Sequence, residues 1–347
     1  MMTSNTRKSS RKTATMKDVA QLANVSQSTV SRVLNDTNEP IPIGEETRQR
    51  VMDAVAKLKY QPNLHAGSLR GQKTQLIAIM IADITNPFYH AIVRTVQDHA
   101  NTYNYDVMIA NSDHTRQGEK RFVDSVIRRP VDGIIMAPYH LDDDDLGELI
   151  DRTGAAVAAV GQHLRHPQID IAYGNDELAT YNAVKWLHQT KGHTAIGFIG
   201  VTDRFPAGAR RRRGFEQALN DAGLEMASKY EQVGDWSLGS GYQAMQQLLS
   251  LPEPPTAVFV ANDVMAIGAM EAIKKNNLKI PDDMAVVGFD NIPAASWVYP
   301  PLTTVAQYPE KMGEQLSKAL FQRIHGEYSG PSRRFEIPLD FIEREST

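Results

Sequence analysis

The 347 residues contain no cysteine, which excludes disulfides, thiol catalysis and cysteine-based metal sites. No apolar run is long enough to cross a bilayer. The first fifteen residues, MMTSNTRKSSRKTAT, are polar and basic and lack the apolar centre of a signal peptide, so a cytoplasmic protein is expected. There is no nucleophile motif, Gly-rich phosphate loop or HExxH metal motif. No catalytic residue, metal or cofactor is therefore assigned. His163, His166, Asp263 and Asp290 could be arranged into an acid–base story, but no motif supports it. His90, His99, His188 and His193 read as ordinary helix or surface residues.

The composition is that of a soluble globular protein, with 41% hydrophobic and 22% charged residues. The length suffices for two or three domains with real cores. The net charge of -4 hides an asymmetry, because residues 1–72 carry eleven Lys/Arg against six Asp/Glu. A basic head on an acidic body points to a polyanion partner for the head alone.

Residues 16–35, MKDVAQLANVSQSTVSRVLN, organise the rest. Val19, Ala20, Leu22 and Ala23 form an apolar face at helical spacing. After a short break, Ser26 can cap a second helix, in which Val30, Val33 and Leu34 face inward. Gln27, Ser28, Ser31 and Arg32 occupy the opposite face. Two short helices in a tight turn, the second showing hydrogen-bonding side chains, form a helix-turn-helix suited to the major groove. Alone, these twenty residues also fit a small helical hairpin with a polar outer face. A third helix over about 45–58, with Val51, Val55 and Leu58 inward, closes a small core.

Residues 1–15 read as a disordered tail. Its Arg7, Lys8, Arg11 and Lys12 either add phosphate attraction or are simply solvated. The segment 63–71, NLHAGSLRG, has few core-forming residues, with Asn63, Ala66 and Leu69 at three-residue spacing. It is either a plain linker or one that folds only against DNA, with Leu69 as an apolar wedge in the minor groove.

From Thr74 onward, apolar strands alternate with amphipathic helices, which implies parallel sheets covered on both faces. Too many strands occur for one open sheet of this size, so two similar α/β lobes are expected. Ligands of such folds bind at the carboxyl ends of strands. Polar residues gather there: Asp83, Asn86, Asp113, Gln162, Asn262, Asp263, Asp290 and Asn291. Phe88 and Trp236 could supply flat surfaces to a polar or polyhydroxylated small molecule. Any one of these polar residues could instead merely cap a helix.

With these pieces placed, the chain resembles the LacI/GalR family of transcriptional regulators. The resemblance is carried by MKDVAQLANVSQSTVSRVLN, YQPNLHAGSL, VANDVMAIGAMEAI, VVGFDNIP and YPPLTTV, in that order. It implies a multidomain α and α/β fold: a three-helix helix-turn-helix head (16–61), a hinge helix and linker (62–73), and a two-lobed body like a periplasmic binding protein. The first lobe would hold 74–161 plus 292–322, and the second 162–291 plus 323–347, with three crossings between them. The resemblance places Gln27, Ser28 and Arg32 at base edges. Thr15, Ser26, Ser31 and Asn35 would lie nearer phosphates, and Asn63, Ala66 and Leu69 in the hinge helix. It places Arg211, Trp236, Asn262, Asp290 and Gln307, with Asn86 and Phe88, around a ligand. Arg211 is chosen from the run 210–213 because it precedes Gly214 by three; Arg210 and Arg213 read as a solvated helix start. Gly161 and Gln162 stand where many members have an acidic ligand contact, so Gln162 is the candidate there. No leucine heptad tail follows Arg344, which favours a dimer.

The implied function is a ligand-responsive repressor. Its partners are a palindromic double-stranded operator, a second copy of the chain and a small effector, a sugar or sugar derivative; no membrane is involved. A solute-binding protein or a sugar-processing enzyme on the same body is the alternative.

Overall fold

The computed structural model describes residues 14–35, 43–60, 73–225 and 227–347, the side chain of Asn35 excepted. It divides into two units, 1–74 and 75–347. The expected tail over 1–13 and the hinge residues Asn63, Ala66 and Leu69 lie outside the described residues.

The first unit holds helices α1 (Met16–Ala23), α2 (Gln27–Asn35) and α3 (Glu45–Leu58). Thr15 and Asp18 cap α1 reciprocally. The oxygen of Ser26 accepts the Thr29 N–H at 3.0 Å and so starts α2. Val19, Ala20, Ala23, Val30, Val33, Val51, Ala54 and Tyr60 make the core. Leu22 is not part of it: although the sequence grouped it with the apolar face, it is 44% exposed.

The second unit is two α/β lobes. Its strands in chain order are β1 (Leu76–Ile81), β2 (Asp106–Asn111), β3 (Gly133–Met136), β4 (Ala156–Val160), β5 (Asp170–Tyr173), β6 (Ile196–Val201), β7 (Glu231–Gly234), β8 (Ala257–Val260), β9 (Ala285–Asp290), β10 (Thr303–Ala306), β11 (Arg334–Glu336) and β12 (Asp340–Ile342). Its α-helices are α4 (Phe88–Thr102), α5 (Arg116–Arg128), α6 (Asp143–Thr153), α7 (Asp176–Gln189), α8 (Pro206–Asp221), α9 (Leu238–Leu249), α10 (Asp263–Lys275) and α11 (Pro309–Ile324). One sheet has the order β11-β5-β4-β3-β1-β2 and the other β12-β10-β9-β8-β6-β7. All pairings are parallel except β10 with β12. Strand β1 shows why both faces need cover: Ile77, Ile79 and Ile81 pack under α4 and α11, while Ala78 and Met80 pack under α5 and α6. In the second lobe α9 and α10 cover one face, and α7 and α8 the other.

The expected lobe boundaries are corrected by strand pairing. β5 and β11 join the first sheet and β10 joins the second. The first lobe therefore comprises 75–173 and 309–336, and the second 176–306 and 340–347. The chain crosses between sheets after β5, after β10 and after β11. Asp170, fully buried at the start of β5, fixes this arrangement. It accepts from the Arg323 guanidinium at 2.7 and 2.9 Å and from the Arg333 backbone N–H at 2.7 Å. One carboxylate thus ties β5 to α11 and to the approach to β11.

Candidate functional site

In the head, Gln27 and Ser28 are exposed on α2, with Ser31 and Arg32 half-buried beside them. Ser28 Oγ lies 2.7 Å from Ser26 Oγ, so two expected DNA-contacting hydroxyls are linked to one another and to the helix cap. Thr15 is likewise engaged with Asp18.

The body places its polar cluster at the carboxyl ends of both sheets. Helix α8 begins at Pro206, a favoured first helical residue. Arg210 is therefore in the second turn and is not a solvated start. Its side chain is 13% exposed and binds Asp176 Oδ2 through Nε at 2.9 Å and Nη2 at 2.6 Å. Arg212 turns to Glu231 at 2.6 Å and Arg213 to Glu177 at 2.8 Å. Only Arg213 is the exposed surface residue the sequence implied.

Arg211 is buried. It donates to the Ala261 carbonyl, reaches Asp176 at 3.4 Å, and lies 3.8 Å from Asp290. Its guanidinium sits 3.7 Å over the Phe289 ring centre and 5.7 Å from that of Trp236. Asp290, at the end of β9, accepts from Gln307 Nε2 at 2.7 Å. Burial pushes its carboxyl up to about 6, against the pull of Arg211.

A cavity between the lobes is lined by four of the expected ligand residues, Phe88, Gln162, Arg211 and Gln307. Tyr89, Tyr139, His163, Asp176 and Arg210 also line it, and sequence reasoning did not foresee them. The two tyrosine hydroxyls lie 2.9 Å apart. Burial raises the pKa of both phenols. His163 is depressed to about 4 by burial and by neighbouring Arg210, so it is neutral at pH 7.

Of the remaining expected contacts, Asp290 and Trp236 stand behind Arg211 and do not line this cavity. Asn262 and Asn86 each make local hydrogen bonds beside a helix start. Asn262 caps α10 through Met265 N–H at 2.9 Å, and its Nδ2 donates to the Trp236 carbonyl at 3.2 Å. It thereby holds Trp236 in the left-handed region, φ +74°. Asn86 accepts the Phe88 N–H at 3.0 Å, at the start of α4. Asp83, Asp263 and Asn291 are also engaged locally, with Thr85, with Thr304 and Ile292, and with Arg344. Aromatic rings meet across the lobes: His114 faces Trp236 at 6.4 Å and 19°, and Phe205 lies 5.5 Å from Tyr139.

Among the described residues, no group of three or more His, Asp or Glu could hold a metal, and no helix is long and apolar enough to cross a membrane. Two lobes enclosing a polar pocket at their strand ends, on one chain with a helix-turn-helix head, define a ligand-responsive DNA-binding regulator of transcription. A family model described as bacterial regulatory proteins, lacI family, matches residues 15–63, and a periplasmic binding protein-like domain matches 187–347. The chain is 34% identical over 334 residues to the HTH-type transcriptional repressor CytR of Escherichia coli strain K12, covering 96% of each. It is 32% identical over 311 residues to the repressor PurR of Mannheimia succiniciproducens, covering 90% of this chain and 92% of that one. A Lac repressor dimer bound to operator and the anti-inducer ONPF superposes with a TM-score of 0.82 at 29% identity, over 97% of this chain and 99% of that one. The protein belongs to the LacI family of bacterial regulators. Members of that family regulate transcription and are not enzymes, which sets aside the catalytic alternative.

Proposed function

We propose that the protein is a repressor that binds a roughly palindromic operator as a homodimer and changes its grip when a small metabolite, a sugar or sugar derivative, enters the cleft. The observation that carries this reading is the buried Arg211, held among Asp176, Asp290 and Trp236 on the wall of a cavity to which both lobes contribute. A Lac repressor structure pairs an operator-bound dimer with a bound small molecule, and a CelR structure holds cellobiose. On this reading Gln27, Ser28 and Arg32 face base edges, while Ser26, Ser31 and Asn35 position the head on phosphates. Asn63, Ala66 and Leu69 form a hinge helix in the minor groove. Gln162 takes the ligand contact that an acidic residue makes in many relatives. The protein acts in the cytoplasm, on the nucleoid when bound to DNA.

Ligand in the cleft changes the angle between lobes, which moves the two hinge segments of a dimer and alters operator affinity. Operator and effector then influence each other reciprocally. The test is selection of duplexes from a random pool by the full chain, followed by titration at several salt concentrations. Enrichment of a palindrome is expected. Leu69→Ala should weaken the selected site far more than random duplex, and equal loss on both would remove the wedge. A monomer with no preference for any palindrome would end the proposal.

A further inference from the structure

The carboxylates at the cavity are already engaged, while donors on its wall are not. Asp176 accepts from Arg210 and Arg211, and Asp290 from Gln307. The side-chain oxygens of Asn262 and Asn86 are spent on helix starts. Left unpaired among the lining residues are Nε of Arg211, a residue 4% exposed, and both ring nitrogens of His163. One nitrogen of a neutral imidazole carries hydrogen. A buried donor without an acceptor is costly, so these groups mark where a bound molecule supplies acceptors. A neutral polyol can accept as well, but every hydroxyl also brings an O–H that needs an acceptor, which an oxyanion does not.

Charge points the same way. A larger, more open cavity adjoins the first, sharing Gln162, His163, Pro206 and Arg210 with it and adding Arg165 and Arg213. Four arginines thus border the two spaces. Asp176 and Glu177 offset Arg210 and Arg213, and Asp290 stands behind Arg211. Asp143, beneath the mouth, is engaged by the backbone N–H groups of Arg165 and His166. The Arg165 guanidinium donates to the carbonyls of Gln162 and Leu164, and among the described residues no carboxylate forms an ion pair with it.

We propose that the molecule recognised between the lobes carries an oxyanion, a carboxylate or a phosphate ester, received by Arg210 and Arg211, with Arg165 and Arg213 at the mouth and His163 beside it. This rests on the reading of the cleft as the effector site and narrows the effector to acidic or phosphorylated compounds.

The test titrates the full chain, without DNA, by calorimetry with inorganic phosphate and separately with acetate, at ionic strength fixed with chloride. Saturable binding of at least one anion is expected, and which one binds identifies the source. Arg210→Gln should weaken it roughly tenfold and Arg165→Gln several-fold, as expected for losing one charge near the anion. Arg165→Gln removes only an exposed side chain and reads the site even if Arg210→Gln unfolds. The basic head attracts phosphate equally in all three proteins, so the difference between them reports the cleft. No saturable binding, or identical isotherms for wild type and both variants, would overturn the proposal. A matched set of a neutral sugar, its phosphate ester and its uronic acid is then tested for operator release. Release by the neutral sugar alone, unchanged in Arg165→Gln, would also overturn the oxyanion while leaving the regulator standing. Failure to bind any operator would remove the regulator reading, and the anion titration would still decide the oxyanion.

Discussion

Arg211 joins parts of the second lobe that the chain supplies from distant places: Asp176 on α7, the Ala261 carbonyl after β8, and Asp290 at the end of β9. Arg211→Ala should abolish the effector response. It should also destabilise the body by about 3 kcal/mol, because buried Asp290 loses its counter-charge, while Asp176 keeps Arg210. Urea unfolding of the variant measures this, and a midpoint equal to wild type would show that the network contributes little. Asp290 gives a pH dependence of definite sign. Its carboxyl, ordinarily near 3.8, is raised to about 6 in the folded chain by burial, with Arg211 opposing. The folded state therefore holds this proton more tightly than the unfolded state does. The stability it contributes is full below about pH 4 and is lost as pH rises through about 6. Thermal melts of Asp290→Asn should show a flatter slope across that window, since the amide oxygen still accepts from Gln307 and nothing titrates. Parallel slopes would assign the dependence elsewhere. At this scale the sequence was legible where a side chain has one use. Phe88, Gln162, Arg211 and Gln307 line the cavity as expected. Asn86 and Asn262 precede helices, where local hydrogen bonding and ligand contact call for the same amide: Asn262 caps α10, and Asn86 accepts the Phe88 N–H. His163 and Asp176 were missed because their neighbours in space, Arg210 above all, are remote in sequence.

Among the elements, α7 and α8 cross so closely that a Cβ on Gly214 would lie 2.1 Å from the Glu177 carbonyl oxygen. That crossing brings Asp176 to Arg210 and Arg211. Gly214→Ala should separate the helices, destabilising the body by roughly 2 kcal/mol and weakening effector binding together. Calorimetry on the same samples measures both, and unchanged effector affinity in a destabilised variant would uncouple the crossing from the cleft. The longer elements were readable from periodicity: the spacing predicts a helix over 88–102, and α4 occupies those residues. β5, β7, β10, β11 and β12 were not, because each spans only three or four residues and includes polar ones, whereas the equally short β3 and β8 are wholly apolar. Such runs acquire their identity from the edge they pair with, which a local pattern does not contain. The lobe boundaries went wrong for that reason.

For the whole molecule, Trp297 and Tyr299, two residues apart on the second lobe, are 78% and 79% exposed. Large rings open to water mark candidate contact surfaces, and these are the residues expected to be covered in the proposed homodimer. Trp297→Glu should weaken self-association at least about tenfold, read by sedimentation velocity over a concentration series. An unchanged sedimentation coefficient would move the contact to another face.

The interleaving of the lobes has a temporal side. A ribosome delivers β1 to β5 first, then β6 to β10, and only afterwards α11 and β11. With residue 306 just made, Ile77, Ile79 and Ile135 have α4 over them but still lack α11, their other cover. The lobe begun first is completed late, after nearly all of its neighbour has emerged. Folding during synthesis therefore cannot proceed one lobe at a time, and a nascent chain stalled before α11 should be a chaperone client with a half-clothed sheet.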